Sequence, residues 1–145
     1  MSVVVSVASE ASPGLRDALN RLLPQLSRTA APLTDDDLDA IISSPSTTLF
    51  VATLDDVIVG ALTLVDFAIP SGRRAWIEDV IVEATARNVG VGAALTRAAL
   101  DVARDHGART VDLTSRPSRA AANELYRKLG FVGRDTNVYR FFIEG

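Results

Sequence analysis

Glu78 and Asp79 stand side by side in AWIEDVIV, Ala75 to Val82, a run that is otherwise apolar. A carboxylate drawn out of water keeps its proton to higher pH, the state wanted in a general base that works on an ammonium group. Alternation along a strand sends these two side chains to opposite faces, so a central strand would have to bury at least one of them. The structural alternative is that each finds a backbone donor or an arginine and only shapes the fold. Shortly after comes RNVGVG, Arg87 to Gly92, followed by a long helical pattern. Gly90 and Gly92 remove two Cβ atoms where the chain enters the helix, beside N–H groups that have no intrahelical acceptor. Those donors point along the helix dipole and suit a phosphate, although on the local pattern alone a plain glycine turn is the commoner explanation. The stretch lacks the Lys-Ser/Thr of a nucleoside-triphosphate loop and the third glycine of a dinucleotide fingerprint, so both of those chemistries are poorly supported.

The elements that must position these groups are legible in order. VVVSV, Val3 to Val7, reads as a first strand, and Ser12 with Pro13 opens a helix with Leu15, Leu19, Leu22, Leu23 and Leu26 at helical spacing. Thr34 with Asp37 caps a second, acidic helix that fades near Ser43. TTLFVATL and VIVGALTLV flank Asp55 and Asp56 as an antiparallel hairpin, and FAIPSGR, Phe67 to Arg73, reads as a loop before AWIEDVIV. A helix over Val91 to Arg104, with Gly107 as its stop, precedes the strand TVDLT. A helix from Arg119 to Leu129, a stop at Gly130 and a last strand, VYRFFI, complete the chain. The order β, α, α, three strands, α, β, α, β predicts a mixed α/β sheet with helices on both faces.

Composition narrows the function. With 145 residues, 48% of them hydrophobic, one domain over residues 1–145 is expected. A net charge of −3 argues against a nucleic-acid partner. The chain has no cysteine and a single histidine, His106, so there is no thiolate nucleophile and no metal site is expected. His106, just before Gly107, suits a solvated helix end favoured by the dipole better than catalysis. MSVVVSVASE lacks the pattern of a signal peptide and no run is long enough to span a bilayer, so a cytoplasmic protein without a membrane partner is expected.

VIVEATARNVGVGAALTRAAL resembles the acetyl-CoA-binding segment of the GNAT superfamily of N-acetyltransferases, with the signature Arg/Gln-x-x-Gly-x-Gly/Ala on Arg87, Gly90 and Gly92. SRAAANELYRKLGFV, Ser118 to Val132, is similar to the family's later motif, in which a helix carrying Ala and Tyr ends in Gly-Phe and returns as a strand. The two segments occur in the family's order, and with the preceding elements the resemblance covers nearly the whole chain. It implies a largely antiparallel mixed sheet, splayed between its fourth and fifth strands, with acetyl-CoA as cosubstrate and no metal.

The resemblance also implies roles. Main-chain groups of Val80, Ile81 and Val82 would pair with the pantetheine arm, and the amides of Asn88, Val89, Gly90, Val91, Gly92 and Ala93 would surround the pyrophosphate. Arg87 would add charge there or brace the loop. Many relatives have a pantetheine-binding Asn seven residues before the Tyr, where this chain has Arg119; Asn123, one turn further along, is the substitute. Tyr126 matches the tyrosine that protonates the departing thiolate, and Glu78, with Asp79 second, is the candidate base acting directly or through water. A strand N–H near Val80 would polarise the thioester carbonyl. Transfer would go directly to a small-molecule or peptide amine. The walls of the acceptor pocket are expected in QLSRTAAPL and FAIPSGR, where Arg28, Arg73 and Arg74 could meet an anionic substrate. VYRFFI could extend the sheet into a homodimer. A non-catalytic acyl-CoA sensor and a nucleotide-binding α/β domain are the competing functions.

Overall fold

Local sequence signals form the frame of the fold, and a computed structural model describes residues 2–143 of it. Met1, Glu144 and Gly145 lie outside the described residues, including the ends of the expected domain. The contacts divide the chain into two compact units, Met1–Thr114 and Ser115–Gly145.

The first unit holds a sheet in the order β1-β2-β3-β4-β5, formed by β1 (Val3–Val7), β2 (Thr47–Leu54), β3 (Val57–Ile69), β4 (Gly72–Val82) and β5 (Thr110–Asp112). The first four strands pair antiparallel, and only β4 with β5 is parallel. Between β1 and β2 lie α1 (Pro13–Leu22), a 3-10 turn at Leu23–Gln25, and α2 (Asp35–Ser43). The Ser12 hydroxyl accepts from the Leu15 N–H, and Thr34 and Asp37 form the reciprocal capping box. Each cap satisfies donors that the first helical turn leaves open.

Alternation along β2 and β3 gives each face its own core. Leu49, Val51 and Ala61 pack with Leu15, Leu19 and Leu38 from α1 and α2. The opposite face receives α3 (Val91–Asp105), which packs across β1 to β4 with Val91, Leu95 and Ala99 buried. Gly60 on β3 makes this approach possible. A Cβ there would lie 2.8 Å from Val91 Cγ1, 3.0 Å from the Ile81 carbonyl oxygen and 3.2 Å from Leu95 Cδ1.

Asp55 and Asp56 both adopt positive φ, 49° and 65°, in the two-residue turn expected between β2 and β3. FAIPSGR, by contrast, is not a free loop. Phe67, Ala68 and Ile69 pair with Arg74, Arg73 and Gly72, and only Pro70 and Ser71 turn the chain, with Gly72 at φ +125°. Proline and glycine mark the turn itself, and the apolar residues before them continue the ladder.

In the second unit, α4 (Ala120–Lys128) ends as expected at Gly130, φ +102°, where the Phe131 N–H donates to the Tyr126 carbonyl. The expected strand VYRFFI does not form among the described residues, and Val138, Tyr139, Phe141, Phe142 and Ile143 are exposed. Its residue types favour a strand, but a strand exists only with a ladder partner, and this run has none among the described residues.

Gly60→Ala should cost about 1–3 kcal/mol, because neither Val91 nor the Ile81 carbonyl can withdraw without moving the head of α3. Urea denaturation reads this directly, and a midpoint equal to that of the parent protein would show that α3 does not rely on the close approach.

Candidate functional site

The head of α3 is built by backbone conformation. After β4 a 3-10 turn at Ala84–Ala86 leads to Asn88, φ 68°, and Gly90, φ 89°, the residue before the first helical position. Two left-handed residues turn the chain sharply, and no side chain caps the helix. The Ala94 N–H already reaches the Gly90 carbonyl at 3.0 Å, which leaves the N–H groups of Val91, Gly92 and Ala93 without intrahelical acceptors. A Cβ on Gly90 would meet nothing within 4 Å, so the space beside these donors is open. Oriented amides, a dipole and an open approach make this helix end fit the pyrophosphate of a coenzyme A thioester. Arg87, Asn88 and Val89 are exposed around it.

β4 supplies the second part of the site. Its pairing with β5 covers only Arg74↔Thr110, Ala75↔Val111 and Trp76↔Asp112. From Ile77 to Val82 the edge away from β3 carries no strand among the described residues, as expected for a sheet splayed between its fourth and fifth strands. Val80, Ile81 and Val82 therefore lie on a main-chain edge open to an extended ligand, and that edge runs into the head of α3.

The two carboxylates depart from the sequence expectation. Thr63 pairs with Glu78 but Ala61 pairs with Ile81, so Asp79 and Val80 both stand opposite Leu62 in a β-bulge. Asp79 takes φ 47° there. The bulge breaks the alternation, and both Glu78 and Asp79 are exposed rather than buried. Glu78 shares a cross-strand row with Thr63 and Leu49, on the face covered by α1 and α2. Burial does not desolvate either group, so a base at this position works in contact with water.

A buried carboxylate lies elsewhere on the sheet. Asp66 on β3 is 3% exposed; it accepts from Arg73 Nη1 at 2.6 Å, and its other oxygen lies 2.9 Å from His106 Nδ1. His106 thus ties the C-terminal end of α3 to the sheet instead of being merely solvated. Arg74 pairs with Asp112 at 2.6 Å, so Arg73 and Arg74 are both engaged by aspartates rather than free for an anionic substrate. Arg28 is exposed and makes no ion pair among the described residues. A polar residue in the middle of an apolar strand, Asp66 in VIVGALTLVDFAI, was the available signal for this network.

Within the second unit, Tyr126 packs edge-on against Phe131 with ring centroids 5.6 Å apart. Burial pushes its phenol above the ordinary value, and the positive charge of Arg119 opposes that rise only in part. The phenol therefore holds its proton throughout the neutral range. Asn123 Nδ2 donates to the Arg116 carbonyl at 2.9 Å, which gives this side chain a role in bracing the entry to α4. Its Oδ1 remains an acceptor, whereas a pantetheine contact through Nδ2 would share or replace the Arg116 bond.

Among the described residues no cluster of His, Asp and Glu could hold a metal ion, and no helix is long and apolar enough to cross a membrane.

Comparison with known proteins agrees with this geometry. Residues 14–131 match the model of the acetyltransferase (GNAT) family. N-alpha-acetyltransferase 30 of Schizosaccharomyces pombe is 31% identical over 97 residues, which are 66% of this chain and 64% of that protein. The chain thus matches just under two thirds of that relative's length. An aminoglycoside acetyltransferase from an uncultured soil metagenomic sample superposes with a TM-score of 0.86 at 19% identity, covering 99% of this chain and 97% of that one. Glucosamine-6-phosphate N-acetyltransferase of Arabidopsis thaliana does so with a TM-score of 0.82 at 20% identity, covering 99% of this chain and 100% of that one. At those identities the structural likeness is one of fold. The match to the family model, over most of the chain and across both the glycine turn and the Tyr126 helix, is broader, and by it the chain belongs to the acetyltransferase (GNAT) family.

Proposed function

We propose that the chain, acting as one domain over residues 1–145, transfers an acetyl group from acetyl-CoA directly to a primary amine. The observation that supports this reading is the head of α3, where amides without intrahelical acceptors follow a strand whose outer edge, from Ile77 on, pairs with no strand among the described residues. Acetyl-CoA would supply the acyl group as a reactive thioester. The amides of Asn88 to Ala93 take the pyrophosphate, with Arg87 adding charge or bracing the loop, and the main chain of Val80 to Val82 takes the pantetheine arm. Asn123 offers Oδ1 to that arm as a secondary contact. An N–H near Val80 polarises the acyl carbonyl without help from a side chain.

An alkylamine with a pKa near 10.4 arrives protonated and must lose a proton before it can attack. Glu78 takes that proton through water, which its exposure allows, and Asp79 is the second candidate. Tyr126 Oη returns a proton to the departing sulfur. No covalent enzyme intermediate is involved, in keeping with a chain that has no cysteine.

The acceptor is a small-molecule or peptide amine. The name of the 31% identical relative makes a peptide α-amine the first to test, ahead of aminoglycosides and amino sugars. A homodimer through the exposed run Val138 to Ile143 and a cytoplasmic location complete the reading.

CoA at a hundred times its dissociation constant should stabilise the protein by about 2.7 kcal/mol, a rise in melting temperature that ATP does not reproduce. Stabilisation by ATP alone would favour a nucleotide-binding domain. With acetyl-CoA and a panel of amines, thiol release measures turnover. Tyr126→Phe and Glu78→Gln should each lower kcat about 10²–10⁴-fold while CoA affinity is kept. CoA binding with no thiol release from any amine would make the protein a sensor. Because burial holds the Tyr126 phenol above its ordinary value, the midpoint for loss of acid catalysis should lie above that of a free tyrosine. An alkaline limb near neutrality that persists in Tyr126→Phe would assign it to another group.

A further inference from the structure

The C-terminal end of α1 and the 3-10 turn after it reach across to the loop that carries the candidate phosphate cradle. Arg21 divides its guanidinium between two acceptors: Nη1 donates to Glu83 Oε1 and Nη2 to the Ile58 carbonyl at 2.6 Å. Gln25 Oε1 accepts from the Ala84 N–H at 3.0 Å and so caps the turn at Ala84–Ala86 from a distant part of the chain. Glu83 is held from further sides as well. Its N–H donates to the Val59 carbonyl at 2.8 Å, and its Oε2 accepts from Thr85 Oγ1 at 3.2 Å. Beyond this anchored start, the side chains of Arg87 and Asn88 make no hydrogen bond or ion pair among the described residues.

Magnitude argues that these contacts position the loop more than they stabilise the fold. The Arg21 side chain is 43% exposed and that of Glu83 22%, and ion pairs open to water contribute about 0–1 kcal/mol. Geometry is where they count. Between the end of β4 and the left-handed residues of the cradle, Glu83 and Ala84 open the 3-10 turn that the Ala86 N–H closes on the Glu83 carbonyl at 2.9 Å. An error there carries forward into the direction of the amides that follow.

We propose that Arg21 and Gln25 are positioning residues for cofactor binding, holding the loop from Glu83 to Gly90 so that the amides at the head of α3 converge on a phosphate. The role rests on the acetyltransferase reading for the identity of the ligand, but not for the contacts themselves. Neither side chain touches a reacting atom. Gln25 also opens the segment QLSRTAAPL, so the strap joins a candidate acceptor wall to the cofactor loop.

The test combines hydrogen–deuterium exchange on the ligand-free protein with calorimetric titration of CoA and steady-state kinetics, for Arg21→Gln, Gln25→Ala and Arg21→Lys. In the first two variants, amides 84–93 should exchange faster while those of β2 and α3 beyond its first turn do not change. The Kd for CoA and the KM for acetyl-CoA should rise on the order of tenfold, with kcat at saturating acetyl-CoA within about twofold. Arg21→Lys, which keeps the charge but can hold only one of the two acceptors well, should recover part of the loss. Glu83→Gln combined with Arg21→Gln should weaken CoA little more than Arg21→Gln alone. Unchanged exchange at 84–93, or unchanged CoA affinity in variants of a parent that binds CoA, overturns the positioning role. A parent protein that binds no CoA overturns the acetyltransferase reading instead, and the exchange data then decide on their own whether Arg21 and Gln25 hold the loop.

Discussion

A strand that loses one neighbour halfway along its length is the constraint on which the site depends. β4 is bonded to β3 along most of its length, but to β5 only over Arg74 to Trp76. Main-chain donors and acceptors seldom go unpaired in a dry interior, and from Ile77 onward no strand pairs with this edge among the described residues. The bulge at Asp79 lies within that stretch. It adds a residue on one strand, sharpens the local twist and takes Asp79 out of the ordinary alternation, and both Asp79 and the neighbouring Glu78 are exposed. The strand then ends at the loop leading into α3, so an extended ligand lying along the open edge would arrive at a helix N-terminus. The close approach of Gly60 to Val91 and Leu95 fixes that helix end over the sheet.

How much of this could be read beforehand follows from the range of each interaction. Caps and tight turns are decided by a few neighbouring residues, so Ser12, Thr34 with Asp37, Asp55–Asp56 and Gly130 were all legible. Gly90 was legible for the same reason, as the turn into α3, and its left-handed φ comes from the structure. The bulge was not, because nothing about Asp79 separates a residue at φ 47° from an ordinary strand carboxylate. The pairing of Asp66 with Arg73 and His106, and of Arg21 and Gln25 with Glu83 and Ala84, depends on elements that meet only in the folded chain. Asp66 at least left a trace, as a lone charge in an apolar strand. VYRFFI misled in the other direction: its composition favours a strand, but a partner ladder is a property of its surroundings and not of the run itself.

The balance of charge explains why accurate placement of the loop matters. Asp and Glu outnumber Lys and Arg by 18 to 15, so the field of the whole chain attracts a protonated amine and does not favour a polyanion. Asp35, Asp36 and Asp37 at the start of α2, the Asp55–Asp56 turn, and Glu78 with Asp79 are all exposed and all carry the sign that suits a cationic acceptor. Several arginines are already engaged, Arg73 by Asp66, Arg74 by Asp112 and Arg21 by Glu83, whereas Arg87, next to the cradle in the chain, is exposed and makes no ion pair among the described residues. On the acetyltransferase reading, affinity for the coenzyme's phosphates must then come from short-range donors fixed in direction, not from long-range attraction. A hydrogen bond weakens steeply as its angle departs from linear, whereas the attraction between two charges has no preferred direction. A cradle made of amides is therefore more sensitive to the path of its backbone than one made of lysines would be, and side chains that pin the start of the loop affect binding without touching the ligand.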